Sequence, residues 1–321
     1  MATKITKLNG KVFLAFPEMN KILLSELQER FNVKNPPQSQ YGDLFYFSEN
    51  DLPKKCIPYF AKDIMEEPFL LSFDSINDAV NHLKNIQRNW ASYDYVCFRR
   101  SKLIQEKLPY INLKERKFPV KIPQTPIGLF TLIDEHNLIY SAKTSSFLPS
   151  GNLKFIEDHE NPPSRAYLKI QESLTMATLF NGTNLPNENS YCFEAGACPG
   201  GWTWVLVGLG AKVFAVDRAE LSPKLMESPL VTFKAHDAFT LKPEEIGDID
   251  WIFSDVICYP ERLLEWIKMW ISHNPNLNMI CTIKMQGSIN WELLQQFENI
   301  PNSKIIHLNY NKHELTWIHT H

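Results

Sequence analysis

The run Tyr191-Cys192-Phe193-Glu194-Ala195-Gly196-Ala197-Cys198-Pro199-Gly200-Gly201-Trp202 passes from a short strand pattern, through a glycine-rich turn, into the start of a helix pattern. Glycines at 196, 200 and 201 permit tight turning and close approach of backbone to a ligand. The free N–H groups of a helix start suit polar or anionic groups, so a nucleotide-containing cofactor is the natural occupant. A dinucleotide site prefers G-x-G-x-x-G. Here the spacing is G-x-x-x-G-G, with Pro199 stiffening the turn, which argues against a dinucleotide.

Outward from this turn, β-branched and aromatic runs alternate with helical stretches, the pattern of a parallel sheet with crossover helices. Strands are expected at 191–195, 212–217, 231–236, 250–255, 278–285, 304–310 and 314–319, and helices at 202–209, 260–272 and 289–298. The last two strands are separated by a short turn near Asn311 and should form an antiparallel hairpin at the sheet edge. The expectation is a seven-stranded α/β domain of Rossmann-like type over residues 161–321. Asp217 closes its second strand, where a carboxylate can accept from both hydroxyls of a ribose. Asp237-Ala238-Phe239 closes the third, offering an acceptor for an adenine amino group and a ring face. Ligands of open α/β sheets bind at this edge.

The first half reads differently. Strand signals at 11–16, 44–47, 69–73 and 94–98, with helices at 19–31 and 76–87, give the order βαββαβ, a ferredoxin-like α+β domain over 1–98. Residues 99–160 follow as a basic segment and linker. Between Arg99 and Lys121, the residues Arg99, Arg100, Lys102, Lys107, Lys114, Arg116, Lys117 and Lys121 face only Glu106 and Glu115. The chain as a whole has a formal net charge of −3, so a nucleic-acid partner must be argued from this local charge. There is no apolar run long enough to span a membrane and no leader-like start, and the six cysteines form no CxxC pair. A reducing, cytoplasmic compartment is expected.

Four further charges stand out once the strands are placed. Lys169 lies in a helix before the first strand, Asp255 ends the fourth, Lys284 ends the fifth, and Glu314 opens the last. A charge ending an apolar strand such as Met279-Ile280-Cys281-Thr282-Ile283-Lys284 needs a partner or a task. Each alone is also readable as a structural ion pair. Together with Ser164-Arg165-Ala166-Tyr167-Leu168-Lys169 and the Gly196–Trp202 turn, the ordered Lys-Asp-Lys-Glu set resembles the FtsJ-type ribose 2′-O-methyltransferases, and among them the RlmM-like enzymes of large-subunit ribosomal RNA.

That resemblance implies S-adenosylmethionine (SAM) as cofactor and Lys169, Asp255, Lys284 and Glu314 as the catalytic set. It further implies a cofactor site drawn from Glu194, Gly196, Ala197, Cys198, Pro199, Gly200, Gly201, Trp202, Asp217, Asp237, Ala238 and Asp255. Structured ribosomal RNA would be the partner, contacted partly through Arg99 to Lys121 by a THUMP-like region. Glu194 stands where the family carries Asp, and the segment is short for a complete THUMP domain.

Two other functions compete. A methyltransferase of a base, protein or small molecule is one, although base N-methylation commonly uses Asn/Asp-Pro-Pro-aromatic where this chain has Asp255-Val256-Ile257-Cys258. A noncatalytic SAM-binding assembly factor is the other. Some signals read as structural. Cys198 is a small lining residue rather than a nucleophile. His307, His313, His319 and His321 lack zinc spacing, and no metal is expected. Trp251, Trp266, Trp270 and Trp317 read as core or interface rather than base-stacking residues, while Trp202 fits either packing or ligand contact.

Overall fold

The computed structural model describes residues 4–321. The chain divides into two compact units. One comprises the residues up to Glu115 plus Ile122–Lys154, and the other Arg116–Lys121 plus Phe155–His321. The expected division at 98 and 160 is therefore not the one found. Most of the basic segment belongs with the first unit, and Arg116–Lys121 with the second, where Ile156 donates to the Arg116 carbonyl at 2.9 Å.

The first unit runs β1 (Lys4–Lys7), β2 (Gly10–Ala15), α1 (Asn20–Glu29), β3 (Ser39–Tyr41), β4 (Leu44–Ser48), β5 (Ala61–Met65), β6 (Phe69–Ser72), α2 (Ile76–Ile86), β7 (Trp90–Ser92), α3 (Phe98–Lys107), β8 (Gly128–Leu132) and β9 (Asn137–Ser141). It contains two sheets, ordered β3-β4-β2-β5 and β1-β6-β9-β8-β7. In the first, α1 connects β2 to β3 while β4 inserts between them, a split βαβ arrangement. A second helix does not follow; the chain makes a 3₁₀ turn at Glu49–Asp51 and returns as β5.

The expected single βαββαβ unit over 1–98 is thus corrected. The strand at 69–73 and the helix at 76–87 belong to the second sheet, whose core joins Leu71, Val80, Leu83, Trp90, Phe130 and Tyr140. Residues 94–98 form no strand. Asp94 accepts from the Ser101 hydroxyl at 2.6 Å and Phe98 opens α3. So short an apolar run does not distinguish a strand from a helix start by periodicity.

The second unit runs α4 (Tyr167–Asn181), β10 (Tyr191–Ala195), α5 (Gly201–Gly208), β11 (Lys212–Asp217), α6 (Pro223–Met226), β12 (Val231–Ala235), α7 (Pro243–Ile246), β13 (Trp251–Ser254), α8 (Pro260–His273), β14 (Asn278–Lys284), α9 (Trp291–Glu298), β15 (Ser303–Ile306) and β16 (Glu314–His319). Its mixed, Rossmann-like sheet is ordered β12-β11-β10-β13-β14-β16-β15, with β10 to β14 mutually parallel and β16 antiparallel to both neighbours. Strand order reverses between β10 and β13, which places the switch point beside the glycine turn.

Strands such as Trp251–Ser254 are buried at every residue, and the amphipathic α8 packs Leu263, Trp266, Ile267 and Trp270 inward. Phe193 meets both Trp266 and Trp270 at 6.0 and 5.5 Å between ring centroids. Trp317 is fully buried, with its indole N–H on the Phe297 carbonyl. The expected strand at 304–310 stops at Ile306, because His307 turns away and its Nε2 lies 2.9 Å from the Lys312 carbonyl.

Candidate active site

The residues at the switch point are held by their own packing. Gly196 adopts φ +79°, and a Cβ there would lie 2.6 Å from Val256 Cγ2, so the turn after β10 closes directly on the segment after β13. Gly200 adopts φ +108°. A Cβ on Gly201 would meet Ser164 Oγ at 2.4 Å, so this glycine lets the residues before α4 approach α5. The Cys198-Pro199 peptide is cis.

Beneath the turn, Glu194 is 2% exposed and accepts the Thr203 hydroxyl at 2.6 Å and its backbone N–H. Glu194 therefore caps α5 from the neighbouring strand. Burial raises its pKa to about 8 against the opposing bonds from Thr203.

The other expected cofactor residues distribute unevenly. Asp217 accepts from Cys198 N–H at 3.0 Å and Ala219 N–H at 3.1 Å, one on each oxygen. A carboxylate offers about four acceptor sites, so both oxygens retain capacity for a pair of hydroxyls. Asp237 accepts Phe239 N–H on one oxygen and pairs with Arg218 and Arg262 at 3.2 and 3.3 Å on the other.

The ring face expected at 239 is already taken. Phe239 stacks on Trp266 at 4.7 Å, and the Arg262 guanidinium lies 5.0 Å from its centroid. Ala197 and Ala238 are buried. Trp202 is 2% exposed with its ring edge-on to Phe253, so its side chain packs beneath the turn. The Cys198 thiol is pushed up by burial and by Asp217, which disfavours the thiolate a nucleophile needs.

The four expected catalytic charges converge. Lys169 Nζ lies 2.7 Å from Glu314 Oε1 and 3.2 Å from Asp255 Oδ1, and Lys284 Nζ lies 3.0 Å from the same Asp255 oxygen. The order Glu314, Lys169, Asp255, Lys284 is a chain of alternating charge. Its geometry comes from the fold: Lys169 rides the first turn of α4, Asp255 follows β13, and Lys284 stands directly opposite Glu314 in the β14–β16 pair.

Lys169 is the most enclosed member. Burial works against its charge, but the two carboxylates outweigh it and hold the ammonium above its ordinary pKa. Lys284 has one carboxylate partner and is 23% exposed. An ammonium carries three donors, so Lys284 is the member with capacity to engage an incoming oxygen. The Asp255 backbone N–H reaches the Ala195 carbonyl at 3.4 Å, which ties this chain of charges to the strand that carries the glycine turn.

A residue absent from the sequence reading supports the cluster. Glu172, one turn after Lys169, is 2% exposed and accepts Asn309 N–H, Asn309 Nδ2 and Tyr310 N–H at 2.9, 2.8 and 3.0 Å. It pins the segment that leads into Glu314. Little in the sequence marks it: Lys169-Ile170-Gln171-Glu172-Ser173 is a polar stretch, and its burial emerges only from the fold. His307 and His319 serve the fold, with His307 on the Lys312 carbonyl and His319 on that of Leu277.

Residues 162–300 match the model of the FtsJ-like methyltransferase family. Glu314 lies beyond the matched residues. The ribosomal RNA large subunit methyltransferase M of Aggregatibacter aphrophilus is 35% identical over 145 residues, covering 45% of this chain and 39% of the relative. The protein of the same name from Hahella chejuensis is 34% identical over 144 residues, covering 44% and 36%. The chain thus spans well under half the length of these curated relatives. Among solved structures, the Methanococcus jannaschii fibrillarin pre-rRNA processing protein aligns at 20% identity and TM-score 0.32, covering 44% of this chain and 71% of its own.

Proposed function

We propose that this protein is a cytoplasmic SAM-dependent methyltransferase acting on a ribose 2′-hydroxyl of RNA, with large-subunit ribosomal RNA as substrate class. The observation that carries the reading is the paired Lys169, Asp255, Lys284 and Glu314 cluster at the sheet edge where the glycine turn lies. Relatives named for ribosomal RNA methylation support the substrate class.

The residues present fit the cofactor by donor chemistry. Asp217 retains acceptor capacity for two ribose hydroxyls, and the backbone from Gly200 to Trp202 offers N–H groups at the α5 start. The Asp237-Ala238 segment offers the remaining acceptor for an adenine amino group. When bound, SAM supplies a sulfonium methyl group open to in-line attack. A ribose hydroxyl is a weak nucleophile, so alignment and charge stabilisation are what this chain must provide. Lys284 donates to the 2′-oxygen as negative charge develops there and the proton leaves to water. Asp255 orients Lys284, and Lys169 with Glu314 fixes Asp255 without adding net charge to the cluster.

The first unit supplies RNA docking through the basic helix α3 and the residues that follow. Arg99, Lys102 and Lys107 on α3 provide phosphate contacts there, and Arg116, Lys117 and Lys121 provide them on the second unit. The test is transfer of label from methyl-labelled SAM to in-vitro-transcribed large-subunit ribosomal RNA, followed by digestion to nucleosides. Label in a 2′-O-methylnucleoside, lost in Lys284→Ala while SAM binding survives, is the expected result. Label in a methylated base overturns the ribose assignment.

A further inference from the structure

Between β13 and α8 the chain runs Asp255-Val256-Ile257-Cys258-Tyr259, and from Val256 onward more enclosed residues alternate with exposed ones. Val256 packs against Gly196, and Cys258 is 8% exposed. Ile257 and Tyr259 are 78% and 65% exposed. Ile257 is the most exposed large apolar side chain among the described residues. A segment anchored at every second residue, with an aliphatic and an aromatic side chain left outward two and four positions beyond Asp255, is not explained by the core.

We infer that Ile257 and Tyr259 form the platform on which the base of the reacting nucleotide stacks. The inference rests on the ribose-methylation reading and extends it to substrate positioning. The chemistry of the nucleotide argues for a base. C1′, which carries the base, is bonded to C2′, so a 2′-oxygen presented to Lys284 and Asp255 brings its base within one sugar of the cluster. A base drawn out of its stack exposes an apolar face that needs a new partner, and aromatic side chains supply it without regard to sequence.

The platform is preorganised. Tyr259 is held extended at φ −64°, ψ 139° by the following Pro260, which opens α8, so little backbone freedom is lost on binding. Arg262 lies three residues on, in the first turn of α8, and its guanidinium is fixed by Asp237 and Phe239. It is 51% exposed at the side chain and adds a charge open to phosphate at the start of α8.

The experiment measures initial rates of methyl transfer to in-vitro-transcribed large-subunit ribosomal RNA for wild type, Tyr259→Ala, Tyr259→Phe and Ile257→Ser. Calorimetric SAM binding and melting curves accompany each variant. Stacking lost to alanine raises the KM for RNA about ten-fold. SAM affinity and melting stay at wild-type values, and Tyr259→Phe stays within about two-fold of wild type because it keeps the ring. An unchanged KM for RNA in Tyr259→Ala overturns the platform while leaving the methylation reading intact. A parallel loss of SAM binding overturns it as well, by showing a structural role. If wild type places no label on a 2′-oxygen, the reading beneath the inference falls and the inference falls with it.

Discussion

Lys284 is the exposed end of an alternating chain of charges, and its place in that chain separates its role from that of Lys169. Lys169 is gripped by two carboxylates and held protonated, so it serves as a fixed cation. Lys284→Ala is expected to lower kcat by about 10²-fold or more, as for removal of a donor to developing oxyanion charge, with SAM affinity unchanged. Single-turnover rates check this. Lys284→Arg should not restore the rate, because a planar guanidinium does not replace a compact ammonium. Gly196→Ala places an L side chain at φ +79° and against Val256, a strain of about 1–3 kcal/mol. A weakened SAM Kd, measured by calorimetry, is the expected outcome. At this scale the sequence was informative: each of the four charges interrupts or ends an apolar segment. Their pairing was not legible, because which lysine meets which acid depends on how α4 crosses β13 and β16.

Glu172 joins elements rather than touching the reaction. By accepting three N–H groups it fixes the approach to β16 against α4, and so fixes the distance from Glu314 to Lys169. Glu172→Gln places an amide donor against backbone donors and loses a charged acceptor, which costs about 2–3 kcal/mol. Melting should fall and kcat should drop while SAM binding persists. An unchanged kcat at temperatures where the variant is folded would assign Glu172 to stability alone. Elements of the second unit were readable because their apolar runs are long and punctuated by Gly, Pro and Asp. In the first unit the same signals were present, but period-2 and period-3.6 patterns do not state which strands pair. Phe69–Ser72 has the composition of a third ferredoxin-like strand and instead pairs with β1 and β9. Phe239 shows the same limit in the site: a ring at the third strand end suits adenine, yet Trp266, an element away, takes its face.

For the whole molecule, three buried carboxyls set the response to pH. Burial raises Glu26 to about 7, Asp63 to about 7 and Glu194 to about 8, all above their ordinary values. The folded state therefore binds more protons than the unfolded one through that range, and stability falls as pH rises. His307 works in the opposite direction: burial lowers it to about 4 from 6.5, so its contribution grows as pH rises to 6.5 and is constant above. Between pH 6.5 and 8 the acids dominate, and the melting temperature should decline. Glu194→Gln should flatten that decline, which scanning calorimetry across the range would show. The boundaries of the two units were hidden from the sequence, since Arg116–Lys121 leaves the basic run it belongs to in composition and joins the distant Phe155–His321. Nothing local marks that choice.

If the Lys-Asp-Lys-Glu cluster directs methylation to a ribose 2′-oxygen, alkaline hydrolysis of the product RNA reads it directly. A 2′-O-methyl group removes the internal nucleophile that cleaves the adjoining phosphodiester. In-vitro-transcribed large-subunit ribosomal RNA incubated with the protein and SAM should then give an alkaline ladder with a discrete gap, absent when Lys284→Ala replaces wild type. A complete ladder from wild type, with methyl label nonetheless incorporated into the RNA, would contradict it.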